Sequence, residues 1–178
     1  MKAVLRKLYS KEKIEQVVKR LAVMIEKDYN GENIVFVCLL KGSFIFTSDL
    51  VRHVANPSRI DFIRASSYGS GMTSKGTVTV MNDLEENLEG ENVVIVEDII
   101  DSGLTLNYVK EMLAGKNPKS VKICALLDKR GRREIEIEGD YVGFTIDDGF
   151  VVGYGIDYAE QYRNLPEIYV VEGVEGKD

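Results

Sequence analysis

The sequence predicts an α/β fold built on a doubly wound, mostly parallel sheet with helices on both faces. Three observations carry this: continuous apolar runs, helical periodicity between them, and the regular alternation of the two. IVFVCLL (34–40), VVIVE (93–97) and VKICALL (121–127) are β-branched and apolar runs, interrupted only by Lys122 and closed in the second by Glu97. That is the pattern of parallel strands buried on both faces rather than of half-exposed strands, which alternate. Parallel neighbours need crossovers, and the crossovers lay helices on the sheet.

Between Ser10 and Tyr29, Ile14, Val17, Val18, Leu21 and Ile25 recur at three- and four-residue spacing with Lys and Glu between them, which predicts an amphipathic helix. A second helix is expected from Ser43 to Val54. A third is expected from Ser102 to Ala114, closed by Gly115 and followed by Pro118. IDFIRASSYGSGMTSKGTVTVMN (60–82) reads as two strands around a polar segment from Ser66 to Gly76, expected to be a long, flexible hairpin loop. Loops of this kind often serve as lids or binding loops.

The chain has 178 residues, 44% of them hydrophobic, enough to bury a sizeable core, and no Pro/Gly/Ser-rich linker divides it; one domain is expected over 1–178. Lys and Arg number 23 against 29 Asp and Glu, a net charge of −6 that argues against nucleic acid as a partner. No stretch approaches the roughly 20 apolar residues that span a bilayer, so no membrane partner and a cytoplasmic location are expected. Cys38 and Cys124 fall in apolar runs, where a thiol behaves as a small hydrophobe. His53 is the single histidine, so histidine-pair chemistry is not available.

The chemistry concentrates in VVIVEDIIDSGLTL (93–106). A buried strand runs into Glu97 and Asp98, and in open α/β sheets ligands bind outside the carboxyl ends of the strands. Paired carboxylates there can accept hydrogen bonds from a vicinal diol. The turn Asp101-Ser102-Gly103-Leu104-Thr105 then opens a helix, where backbone amides, the helix dipole and two hydroxyls make an anion site. The alternative is a plain capping turn with Asp101 or Ser102 as N-cap. No Gly-x-x-x-x-Gly-Lys-Ser/Thr motif is present, and Gly69-Ser-Gly71 and Gly153-Tyr-Gly155 lack the third glycine of a dinucleotide fingerprint.

EDIIDSGLTL (97–106) resembles the phosphoribosyl pyrophosphate signature of the type I phosphoribosyltransferases in its hypoxanthine-guanine form. LKGS (40–43) resembles the family's short pyrophosphate loop, SSYG (66–69) its flexible catalytic loop, LLDKR (126–130) its purine-contacting strand end, and FVVGYGIDYAEQYRNLP (150–166) its C-terminal hood. Five motifs in the family's order cover most of the chain. The resemblance implies a hood formed by the N-terminal segment and about 128–178, and purine salvage: transfer of phosphoribosyl to hypoxanthine or guanine with release of pyrophosphate.

The resemblance also implies roles. Glu97 and Asp98 would bind the ribose hydroxyls, and Asp101 to Thr105 the 5′-phosphate, with Asp101 also a general acid/base. Lys129 would donate to the purine 6-oxo group, Phe150 would stack on the base, and the Val151 backbone would read its edge. Lys41, the Gly42 amide and Arg163 would hold pyrophosphate, Asp157 would bind Mg²⁺, and Ser67, Tyr68 and Gly69 would cover the reacting centre. A homodimer or homotetramer is expected from the same resemblance. The competing reading is a regulatory protein that kept the fold and binds phosphoribosyl compounds without turning them over. Taken alone, Lys129 sits in a charge run, DKRGRRE (128–134), of the kind that usually forms a solvated turn.

Overall fold

In chain order the elements are β1 (Val4–Tyr9), α1 (Lys11–Tyr29), β2 (Ile34–Leu40), α2 (Phe44–Val51), β3 (Ser58–Tyr68), β4 (Thr77–Val80), β5 (Asn92–Ile100), α3 (Leu104–Ala114), β6 (Ser120–Lys129), β7 (Tyr141–Ile146), β8 (Val151–Val152) and β9 (Ile168–Glu172). The structure is a computed structural model that describes residues 4–68, 77–80, 84 and 87–172, with residues 66–68 and 77–79 described by their backbone. Gly69 to Gly76, most of the expected hairpin loop, lie outside the described residues.

The three apolar runs form the centre of a six-stranded sheet ordered β4-β3-β2-β5-β6-β7. β3 through β7 in that order run parallel, and β4 is antiparallel to β3. Alternate side chains of one strand feed opposite cores, as the pleat requires. Ile34 and Phe36 of β2 join Val94 and Val96 of β5 under α1 and α2. Val35, Val37 and Leu39 join Val93 and Ile95 under α3. Both faces are therefore covered, which is why the runs are almost wholly apolar, with Lys122 the one charged residue inside them. Cys38 and Cys124 are buried free thiols.

Helix α1 begins where Ser10 Oγ accepts from the Lys13 amide and ends at Asn30, in the left-handed region at φ 44°. Its apolar stripe, Ile14, Val17, Val18, Leu21 and Ile25, is buried as the periodicity predicts. At its last turn Asp28 accepts from the Lys122 ammonium and the Tyr141 hydroxyl, both at 2.7 Å, pinning the helix to β6 and β7.

Helix α2 is shorter than expected, because His53 N and Val54 N bond three residues back, to Leu50 and Val51, and Pro57 follows. His53 is an exposed residue beyond the helix. β5 runs on through Glu97 and Asp98 to Ile100, so the acids stand within the strand and not after it. β1, β9 and β8 form a separate antiparallel sheet, the hood, with Tyr9 stacked on Phe144 at 3.8 Å. Among the described residues no helix is long and apolar enough to cross a membrane.

Leu21 is 0% exposed in the α1 core. Leu21→Ala should lower folding stability by about 2–5 kcal/mol in chemical denaturation, through lost transfer energy plus a cavity that β-strand backbones prevent from collapsing.

Candidate active site

From β2 the chain crosses to β3 on one side and later returns as β5 on the other, so the sheet reverses its winding between β2 and β5. A cleft of about 320 Å³ opens there, at the carboxyl ends of the strands, lined by Leu40, Gly42, Glu97, Asp98, Asp101, Gly103 and Thr105 among others. This is the crevice position that open α/β sheets favour for ligands. A groove of about 370 Å³ between α1, α2 and 164–166 is more apolar, but its Asp49 is already bound by Arg52 and the Tyr154 hydroxyl. The smaller cleft is the one with convergent polar groups.

Glu97 and Asp98 line this cleft with protein packed closely about them. Burial and the neighbouring Asp98 carboxylate push Glu97 well above the usual carboxylate range. Burial also raises Asp98, opposed by its hydrogen bonds with Glu97 and the Ile99 amide and by the charge of Arg163. The Asp98 amide donates to Glu97 Oε1 at 3.1 Å, and the Ile99 amide to Asp98 Oδ1 at 2.9 Å. Desolvated acids held this way are costly unless a ligand's donors meet them.

Beyond β5 the N-cap of α3 is Gly103, not Asp101 or Ser102, at φ 85° and without a side-chain cap. The helix entrance is left to its backbone amides, with the Ser102 and Thr105 hydroxyls beside it. Ser102 Oγ accepts only a long 3.4 Å bond from the Leu104 amide. A strap from 130 to 138 supports the turn from behind. The Glu134 and Ile135 amides donate to Ser102 O at 2.9 and 3.2 Å, and Arg133 Nε donates to Asp101 O at 3.1 Å. Arg133 also donates to Ile137 O and to the buried Asp128 carboxylate. A Cβ on Gly103 would stand 2.6 Å from Ile137 Cγ2, so the strap also requires glycine there.

On the other side of Asp101 stands Lys129. Its side chain is 4% exposed, so the charge run turns this one ammonium inward instead of solvating it. Nζ lies 3.8 Å from Asp101 Oδ1, 3.3 Å from Asp148 Oδ1 and 5.8 Å from the Phe150 ring centre. Asp101 Oδ1 is buried without a hydrogen-bond partner. A donor and an unfilled acceptor are thus side by side next to an aromatic ring, which Tyr158 meets edge-on at 6.2 Å. Val151 is buried in β8.

At the cleft's far end the Lys41-Gly42 loop meets the hood. A Cβ on Gly42 would sit 1.7 Å from Asp98 Oδ2, and one on Gly155 2.2 Å from the Gly42 carbonyl. Arg163 Nη1 donates to Gly155 O at 2.9 Å, and Nη2 pairs with Asp157 Oδ1 at 2.7 Å. Asp157 Oδ2 accepts from the Glu160 amide at 2.8 Å. The expected residues Glu97, Asp98, Asp101–Thr105, Lys41, Gly42, Lys129, Phe150, Val151, Asp157 and Arg163 all belong to this cleft or to the hood and loop segments beside it. The side chains of Ser67 and Tyr68, and all of Gly69, lie outside the described residues.

Residues 5–159 match the phosphoribosyl transferase domain family. The chain is 48% identical over 170 residues to the hypoxanthine phosphoribosyltransferase of Salmonella typhimurium, covering 94% of this chain and 96% of that protein. It is 47% identical over 169 residues to the hypoxanthine-guanine phosphoribosyltransferase of Aquifex aeolicus, covering 94% and 95%. The crystal structure of a hypoxanthine-guanine phosphoribosyltransferase from Bacillus anthracis matches with a TM-score of 0.89 and 51% identity, covering 93% of this chain and 98% of that one. The chain belongs to the phosphoribosyltransferase family. As a phosphoribosyltransferase it carries the five-strand parallel sheet and small antiparallel hood of those solved structures.

Sequence reasoning missed Arg133, Asp148 and Glu160 in this phosphoribosyltransferase. Each lies in or beside a quoted motif, but among several like charges only the fold tells which one turns inward. The positive φ of Gly155 is likewise hidden, because the Gly42 carbonyl that crowds it comes from a distant loop.

Two outcomes follow from the geometry. Gly155 sits at φ 101° against a backbone carbonyl that has no rotamer to yield, so Gly155→Ala should cost at least about 1 kcal/mol of folding stability in denaturant titration. A carboxyl whose folded-state pKa is raised costs stability once ionised, so wild type loses stability as pH rises from the ordinary carboxylate range through the raised value of Glu97. Glu97→Gln removes that cost. Its melting temperature should match wild type below about pH 4 and exceed it increasingly toward neutral pH.

Proposed function

We propose that this phosphoribosyltransferase transfers the phosphoribosyl group of phosphoribosyl pyrophosphate to hypoxanthine or guanine, giving IMP or GMP and pyrophosphate. The observation that carries the base class is the pair formed by Lys129 Nζ and the unfilled Asp101 Oδ1, 3.8 Å apart beside Phe150. An ammonium has donors and no acceptor, so it suits a 6-oxo group and not the amino group of adenine. The neighbouring carboxylate suits an imidazole N–H. The names of the relatives agree with this base class.

In this reading Glu97 and Asp98 accept hydrogen bonds from the ribose hydroxyls, and the amides and hydroxyls of Asp101, Ser102, Gly103, Leu104 and Thr105 hold the 5′-phosphate. Phe150 stacks on the base and the Val151 backbone reads its edge. Lys41, the Gly42 amide and Arg163 hold the pyrophosphate, where Arg offers a planar fork and Gly a close backbone approach. The C–O bond to pyrophosphate breaks as the base nitrogen bonds the anomeric carbon, and Asp101 takes the proton the base gives up. Positioned proton transfer of this kind contributes about 10²–10⁴-fold. Ser67 and Tyr68 cover the oxocarbenium-like ribose and exclude water.

Among the described residues no cluster of three or more acidic, histidine or cysteine side chains can hold a metal by itself. Asp157 offers hard carboxylate oxygens near Arg163, a donor set that suits Mg²⁺ when substrate oxygens and water complete the shell. When bound, the ion would neutralise charge on the departing pyrophosphate. The chain acts as a single domain in this reading, in the cytoplasm and as a homo-oligomer. Phe44, Ile60 and Phe62, each 44% exposed, supply apolar surface for the last of these.

The test is a spectrophotometric assay with phosphoribosyl pyrophosphate and Mg²⁺, offering hypoxanthine, guanine, xanthine, adenine and orotate separately. Nucleotide should form from hypoxanthine or guanine, and Asp101→Ala should lower kcat by about 10²–10⁴-fold. Binding of phosphoribosyl pyrophosphate without turnover of any base would instead favour the regulatory reading.

A further inference from the structure

The two cations assigned to pyrophosphate are not free in the structure. One carboxylate, that of Glu160, bridges them: Oε2 lies 2.8 Å from Lys41 Nζ and Oε1 lies 3.4 Å from Arg163 Nη2. The bridge joins two segments 119 residues apart, the loop after β2 and the hood. An anion spanning both cations with separate oxygens occupies the contacts that a pyrophosphate oxygen pair would make. Meanwhile Arg163 Nε is buried without a hydrogen-bond partner, so the guanidinium still has a donor that Glu160 and Asp157 leave unfilled.

The backbone is committed to this placement. Ala159, Glu160 and Tyr162 have φ of 51°, 62° and 74°, the left-handed region that residues other than glycine rarely adopt. The cost of three such residues in four is sustained only where surrounding contacts over-determine it. Those contacts include the Glu160 amide on Asp157, the Tyr158–Gln161 bridge and the Arg163 carbonyl on the Gly155 amide. The Glu160 side chain itself is 66% exposed, so it can swing into solvent when displaced.

We propose that Glu160 is an internal competitor of pyrophosphate, holding Lys41 and Arg163 when the subsite is empty and returning to them as pyrophosphate leaves. The inference rests on the proposed assignment of Lys41 and Arg163 to pyrophosphate. A ligand that must first open the bridge binds more weakly, in proportion to the fraction of molecules in which the bridge is closed. The affinity lost is modest because exposed ion pairs are weak, and salt weakens the bridge and the ligand contacts together. The gain is in release: the departing anion is replaced on both cations by one already tethered beside them.

The experiment is isothermal titration of the full chain with inorganic pyrophosphate and Mg²⁺, for wild type, Glu160→Gln and Glu160→Asp. Glu160→Gln removes the charge and should tighten pyrophosphate about threefold to tenfold. Glu160→Asp keeps the charge but draws it back by one methylene, and should gain part of that affinity. A gain cannot come from damage to the fold. Unchanged or weaker binding in Glu160→Gln, or no gain at all in Glu160→Asp, would overturn the competitor. Absence of pyrophosphate binding in wild type would instead sink the assignment of Lys41 and Arg163, and the inference with it.

Discussion

Parallel strands finish on the same side of a sheet, and the register of β2, β5 and β6 decides which side chains finish together. Glu97 stands opposite Ala125 and Ile100 opposite Asp128, so the acids of β5 and the buried Asp128–Lys129 end of β6 are delivered to one edge. Cys38 opposite Val96 brings the β2 end, and with it Lys41 and Gly42, to the same edge. A slip of one residue in this pairing would turn every side chain to the other face. The apolar runs on both faces hold the register, since alternate residues must enter two different cores. The site depends on that packing more than on any single contact within it.

What the fold assembles at this edge is expensive in isolation. Two adjacent carboxyls are desolvated, an ammonium is buried, and a carboxylate oxygen is left without a hydrogen-bond partner. Groups of this kind persist where the rest of the structure supplies the stability they remove. Here the supply comes from the buried apolar residues of β2, β5 and β6 and from the strap in which Arg133 ties Asp101 to Asp128 and Ile137. The glycines serve the same end. At Gly42 and Gly155 a side chain would fill the space in which loop, hood and Asp98 meet.

The central strands, the α1 stripe and the signature turn were legible because each follows from local pattern. Apolar continuity marks doubly buried strands, and Glu-Asp after such a run has no place in a core. Less legible were features set by distant partners. The end of α2 depends on turn bonds at His53 and Val54, and the cap at Gly103 on a strap some thirty residues later, whose Ile137 leaves no room for a side chain. Lys129 shows the boundary well. Pattern alone favoured a solvated turn, and motif resemblance favoured the cleft; the structure buries it, because β6 extends two residues beyond its apolar run and carries Lys129 inward with it.

An acidic protein that binds a polyanion poses an electrostatic question that composition cannot answer. The net charge is −6, and the carboxyls Glu97, Asp98 and Asp101 line the cleft itself. Attraction must therefore come from few, short-range cations, since fields beyond about 8 Å are screened at physiological salt. The cations of the proposed site, Lys41, Lys129 and Arg163, are each paired with acids: Glu160 for the first, Asp101 and Asp148 for the second, Asp157 and Glu160 for the third. Pairing lets a cation stay at the rim or in the interior without a ligand, and it makes binding an exchange of one anion for another. In an exchange much of the desolvation is already done, so discrimination falls to geometry. In the proposed site the planar fork of Arg163, the close approach at Gly42 and the amides at Gly103 then matter more than total charge.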